Sequence, residues 1–127
     1  MEDKKIIIFY YSYSAMSTEK LVKGIQSIYP NIEILLLPSE EKNDVSSYDY
    51  VGFASGIYIT GMGEPVYKKI EALQGLEDKK CFSLCTSGRN VSRYPYYPKK
   101  ALEQKGAKYL GGFGCHGKVN YFPFSAF

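Results

Sequence analysis

Ile6-Ile7-Ile8-Phe9-Tyr10-Tyr11, running into Ser12-Tyr13-Ser14-Ala15-Met16-Ser17-Thr18, decides how the rest of the chain is read. The first half is a short apolar run rich in β-branched and aromatic residues, the pattern of a strand buried on both faces. The second half is small and hydroxyl-rich, and an amphipathic helical pattern opens directly after it. The first N–H groups of a helix lack intrahelical partners and carry the positive end of its dipole, so a strand, a hydroxyl loop and a helix start together suit a phosphate. Ser12, Ser14, Ser17 and Thr18 can add side-chain donors. The plainer reading of the same residues is an N-cap, the commonest use of Ser and Thr before a helix.

Outward from this stretch, Leu21, Val22, Ile25 and Ile28 recur at helical spacing until Pro30. Asn31 to Leu37 reads as a second strand and Ser39 to Ser47 as a polar, irregular connection. Tyr48 to Ser55 reads as a third strand whose small residues imply something packed closely against it. Gly56 to Gly63 is a glycine-rich loop containing Tyr58. Glu64-Pro65 opens a helix, since proline suits the first helical position, and Val66, Ile70 and Leu73 form its inward stripe. Cys81 to Thr86 is a fourth strand in which Cys81, Ser83 and Cys85 share one face as small core residues. Thr86 to Ser92 is a third polar loop. Tyr94 to Lys105 reads as a helix closed by Gly106, and Ala107 to Phe113 as a fifth strand. The tail from Gly114 to Phe127 carries no further helical pattern. Strands alternating with helices give a parallel sheet with helices on both faces. Ligands in such sheets sit beyond the carboxyl ends of the strands, where Ser12–Thr18, Ser55–Gly63 and Thr86–Tyr94 converge.

The totals bound the reading. A chain of 127 residues fits one domain, 1–127, large enough to bury a core. Sixteen basic and thirteen acidic residues leave a net charge of +3, too small and scattered for a nucleic-acid surface. No apolar run approaches the roughly 20 residues that span a bilayer. Met1 to Lys5 leads straight into a strand and lacks the layout of a signal peptide. Three cysteines (Cys81, Cys85 and Cys115) and one histidine show no zinc spacing, which fits reduced thiols in a cytoplasmic protein. His116 reads as a surface or tail residue, Arg89 as solvated, and nothing near Cys115 marks it as activated. With no paired carboxylates and no nucleophile–base pair, hydrolytic chemistry has no support.

The order of these segments resembles the flavodoxin-like proteins. Ile-Phe-Tyr-Tyr-Ser-Tyr-Ser-Ala-Met-Ser-Thr-Glu-Lys-Leu is similar to that family's phosphate loop, and Tyr-Asp-Tyr-Val-Gly-Phe-Ala-Ser-Gly-Ile-Tyr to its strand before the flavin-stacking loop. Thr-Ser-Gly after the fourth strand, Lys-Gly-Ala before the fifth and Gly112-Phe113-Gly114-Cys115-His116-Gly117 after it also fit. The resemblance implies a flavodoxin-like three-layer sandwich, a five-stranded parallel sheet in the order 2-1-3-4-5, here without the final helix. It implies FMN as cofactor. Ser12, Tyr13, Ser14, Ala15, Met16, Ser17 and Thr18 would then surround the phosphate. Ser55, Gly56, Ile57, Tyr58 and Ile59 would lie against the isoalloxazine, with Tyr58 stacked on it; Thr86, Ser87, Gly88 and Tyr94 would form the other wall. Three departures stand out. Ala15 occupies the place of the loop glycine, and the loop is one residue longer or shifted, so Ser17 and Thr18 compete for its terminal position. The chain is slightly basic where electron-carrier flavodoxins are acidic. The face next to the first helix lacks its last helix, so either the aromatic tail Tyr121–Phe127 covers it or a second copy does, and a homodimer through that face is expected. The expected function is that of an FMN-binding redox protein, an electron carrier or small flavin-dependent reductase, working with a redox partner protein or a small-molecule electron acceptor. The alternative is a flavodoxin-fold protein that has lost FMN and acts as a phosphate-ligand or protein-interaction module.

Overall fold

A computed structural model describes residues 4–12, 17–58, 61–86 and 98–115. In chain order these form β1 (Ile6–Tyr11), α1 (Ser17–Ile28), β2 (Glu33–Leu36), β3 (Tyr50–Tyr58), β4 (Gly61–Met62), α2 (Glu64–Ala72), β5 (Lys80–Thr86), α3 (Lys99–Gln104) and β6 (Lys108–Cys115). Five strands lie parallel in the order β2-β1-β3-β5-β6, and the short β4 folds back antiparallel on β3. Counting the five parallel strands alone, this is the expected order 2-1-3-4-5.

Strict alternation along each strand splits the core in two. On one face Ile7, Phe9, Val51, Phe53, Cys81 and Cys85 pack under α2 and α3, which contribute Val66, Ile70 and Leu102. On the other, Ile6, Ile8, Tyr10, Ala54, Phe82 and Leu84 pack with Leu21, Val22 and Ile25 of α1. The central strands β1, β3 and β5 are buried on both faces, which is why they read as unbroken apolar runs. Phe9 and Phe53, partners across β1 and β3, stack with centroids 5.8 Å apart. The close neighbour implied by the small residues of β3 is the Phe82 ring: a Cβ on Gly52 would stand 2.5 Å from it.

Four expectations need adjustment. Ile28 is 61% exposed rather than inward, because the last turn of α1 reaches the amino edge of the sheet, beside Lys4 and Ile6; Ile32 takes the buried place instead. The second strand is shorter, Glu33–Leu36. The stretch 56–63 is not all loop: β3 continues through Ile57 and Tyr58, residue types that favour strands, and Ile57 pairs with Met62 in a hairpin. The third helix is described over Lys99–Gln104 only. Gly106 closes it at φ +82°, its N–H donating to the Glu103 carbonyl at 3.0 Å. The expectation of a missing final helix falls on residues 116–127, outside the described residues.

Between β2 and β3 the connection is irregular, as its polar sequence suggests. Val45 is fully buried, and its backbone is held by Val45 N–H donating to the Gln74 carbonyl at 2.9 Å. Lys69 of α2 reaches across to the same connection. Its ammonium donates to the carbonyls of Ser39 and Glu41 and to Asn43 Oδ1.

Candidate functional site at the carboxyl edge of the sheet

The parallel register brings the ends of four strands level. Tyr11 pairs with Ser55, Ser55 with Cys85, Gly56 with Thr86, and Thr86 with Cys115. α1 begins at this same edge, so the positive end of its dipole faces it.

Side chains then tie the connections to one another. Thr18, on the first turn of α1, meets Thr86, the last residue of β5, with hydroxyl oxygens 2.9 Å apart in a buried contact. The Ser12 hydroxyl accepts the Glu19 N–H at 3.3 Å, so Ser12 serves as a cap for α1. The Tyr10 hydroxyl donates to Glu19 Oε1 at 3.3 Å, and burial, followed by the Glu19 charge, raises the Tyr10 pKa. Ser55 Oγ accepts the Gly63 N–H at 2.9 Å and donates to the Gly56 carbonyl at 2.7 Å. Gly63 is needed for close approach: a Cβ there would fall 2.3 Å from the Tyr11 ring. The start of α1 is therefore tied to the end of β5 through Thr18 and Thr86, and the end of β1 lies against Gly63, just before α2.

Of the residues singled out from sequence, Ser12, Ser17, Thr18, Ser55, Gly56, Ile57, Tyr58 and Thr86 lie on this edge by backbone position. Tyr13, Ser14, Ala15, Met16, Ile59, Ser87, Gly88 and Tyr94 fall outside the described residues, as do Arg89 and His116. The sequence reading missed Tyr11, Gly63 and Glu19. Gly63 stands just before Glu64-Pro65 and Glu19 in the first helical turn, both recognisable positions, whereas nothing local flags the Tyr11 contact. Among the described residues no group of three or more His, Cys, Asp or Glu could hold a metal ion. Cys81 is a core thiol, its pKa pushed up to about 12 chiefly by burial, and Cys81 and Cys85 are both buried outside any disulfide. No helix among the described residues is long and apolar enough to cross a membrane.

Strand order, layers and a hydroxyl-lined carboxyl edge define an open, doubly wound α/β protein. Its fold is flavodoxin-like: the chain is similar to a flavoprotein from Lactobacillus acidophilus crystallised in complex with FMN, at a TM-score of 0.72 and 17% identity over 88% of this chain and 93% of that one. It is also similar to the two-electron reduced flavodoxin of Megasphaera elsdenii, at a TM-score of 0.66 and 17% identity over 94% of this chain and 89% of that one. In sequence, an uncharacterized protein of Methanocaldococcus jannaschii is 29% identical over 125 residues, covering 97% of this chain and 82% of the relative. No protein-family model matches the chain.

Proposed function

We propose that this chain binds FMN at the carboxyl edge of its sheet and works as a redox protein, either an electron carrier or a small flavin-dependent reductase. The observation that carries this reading is that the start of α1 is tied to the end of β5, and the end of β1 to the residue before α2, by the Thr18–Thr86 and Tyr11–Gly63 contacts at that edge. The residues present fit the group. The start of the 12-residue α1 and the hydroxyls of the first connection suit a phosphate. The ends of β3 and β5 lie side by side at this edge, where a planar ring would sit.

In this reading Ser12, Ser14 and Ser17, with N–H groups of the turn, hold the phosphate. Ile57, Tyr58 and Ile59 lie on one side of the ring, and Ser87, Gly88 and Tyr94 on the other. FMN, when bound, supplies the gain and release of electrons. The chain binds it, orients it and shields it from water. The working partner is a redox protein or a small-molecule acceptor, and the compartment is the cytoplasm, where Cys81 and Cys85 stay reduced. Self-association through the α1 side of the sheet belongs to the same proposal, and a monomer mass by light scattering at high concentration would remove it.

The test is the absorption spectrum of the purified protein followed by FMN titration of the flavin-stripped protein. Ligand at about 100 times its Kd adds roughly 2.7 kcal/mol of stability, which raises the Tm of a domain this size by about 10 °C. A colourless protein whose Tm stays put with FMN refutes the redox reading. A rise with phosphate compounds lacking a flavin ring would favour the phosphate-ligand module instead.

A further inference from the structure

Thr18 and Thr86 are 68 residues apart in sequence, yet their hydroxyls meet at 2.9 Å, and the residues are only 2% and 6% exposed. A buried hydroxyl pair is a poor source of stability. Replacing both partners by apolar groups of the same shape is nearly neutral, whereas removing one leaves the other unsatisfied. What the pair does supply is direction. A hydrogen bond fixes a distance and an angle that two methyl groups in contact do not.

The two ends it fixes are those that matter for the proposed ligand. Thr18 is the second residue of α1, whose opening turn would face the phosphate of a bound FMN. Thr86 closes β5 and leads into the ring wall. Each hydroxyl has one proton and two lone pairs, and their mutual bond occupies one proton. The hydroxyl that donates spends its proton on the other inside the protein, so the pair holds the two elements together whichever of them is the donor.

Resting on the FMN reading, we propose that Thr18 and Thr86 form a positioning clasp that sets the span between the start of α1, on the phosphate side of the site, and the end of β5, on its ring side. The clasp makes the site selective for the phosphorylated flavin over riboflavin. Riboflavin engages only the ring wall, so its affinity is indifferent to that span. FMN must reach both ends at once, and its affinity depends on their spacing.

The experiment measures Kd for FMN and for riboflavin by flavin fluorescence on the full, flavin-stripped chain and its T18V, T86V, T18V/T86V and T86S variants. T18V and T86V should each weaken FMN about tenfold, the equivalent of one well-placed hydrogen bond, and leave riboflavin within about twofold. The double variant should be no weaker than either single one, since one shared bond is lost. T86S, which keeps the hydroxyl, should restore the preference for FMN. If a valine variant fails to fold, T86A removes the same oxygen without adding a methyl. Equal weakening of both flavins, additive losses in the double variant, or unchanged FMN affinity in T18V and T86V overturns the clasp while the FMN reading stands. A wild-type chain that takes up neither flavin overturns the FMN reading, and the clasp with it.

Discussion

Lys69→Met would show how the irregular connection between β2 and β3 is held. Lys69 lies on the inward face of α2 and is 4% exposed. Its Nζ sits 5.2 Å from the centroid of the Phe9 ring. All three ammonium protons have acceptors: the Ser39 carbonyl at 3.1 Å, Asn43 Oδ1 at 2.7 Å, and the Glu41 carbonyl. Burial lowers the Lys69 pKa, with Glu41 and Glu40 acting against it. Methionine keeps the stem and its contact with Phe9 and removes only the donors. A hydrogen bond to a charged group contributes about 1.5–3 kcal/mol net. Glu41 and Asn43 are exposed residues, so water replaces much of what they lose, and removal of the buried charge offsets part of the remainder. We predict a net loss of about 2–3 kcal/mol, a Tm lower by about 8–12 °C. Urea unfolding should show the midpoint moving with an unchanged slope. Hydrogen exchange should speed up at the Val45 and Gln74 amides, which close this connection onto the end of α2. A loss under about 0.5 kcal/mol with both amides as protected as before would refute the role given to Lys69.

Two further perturbations probe the edge and the core. Gly63→Ala places a methyl 2.3 Å from the Tyr11 ring, so we predict a loss of about 1–3 kcal/mol and weaker FMN uptake; thermal unfolding with and without FMN checks both, and a Tm equal to wild type would show that the ring yields freely. The Cys81 thiol, raised by burial from 9.0 to about 12, stays protonated in the fold after an unfolded thiol would ionise. Its contribution is therefore complete below 9.0 and falls as pH rises toward 12, by about 1.4 kcal/mol per pH unit. Tyr48, also raised to about 12 by burial and Glu33, adds its own loss from 10.0 upward. Urea unfolding at a series of alkaline pH values should thus show a shallower decline for Cys81→Ala than for wild type, and parallel curves would rule this out.

The parts of the fold that were legible in sequence are those where burial acts through a local period. Ile6 to Tyr11 is continuous because β1 is covered on both sides, and Cys81, Ser83 and Cys85 alternate with Phe82 and Leu84 because β5 is sandwiched between the two cores. Gly106 was readable because a left-handed φ at a helix end selects glycine. Ile28 was not, since a helical stripe gives no sign of where the sheet beneath it stops. The hairpin after β3 was obscured by its glycines, which read as loop although Ile57 pairs with Met62. Lys69 could have been found: it shares the stripe of Val66, Ile70 and Leu73, and a lysine at such a position needs a partner. At the candidate site, the hydroxyls at the strand ends could be placed on one edge from the order of elements alone. The Thr18–Thr86 and Tyr11–Gly63 contacts could not, because each joins residues far apart in the chain with no periodic trace.

The two irregular regions that leave the carboxyl end of the sheet are satisfied by different chemistry, and the difference bears on function. From Ser39 to Tyr48 the backbone carbonyls are closed by ammonium groups, Lys69 on Ser39 and Glu41 and Lys79 on Ser46 and Tyr48. Lys69 spends all three of its protons on these acceptors, so it closes the connection and keeps no donor for a ligand. At the edge of β1, β3 and β5 the polar groups are hydroxyls: Ser12, Ser55, and the Thr18–Thr86 pair. A hydroxyl both donates and accepts. Ser12 can therefore take the Glu19 N–H and still direct its own proton outward, serving as cap and ligand donor at once. The N-cap and phosphate readings of this loop are thus compatible for Ser12, and the hydroxyl-rich sequence that suggests both reflects one physical requirement. In the proposed FMN site that requirement is to complete the helix start while keeping donors for an anion.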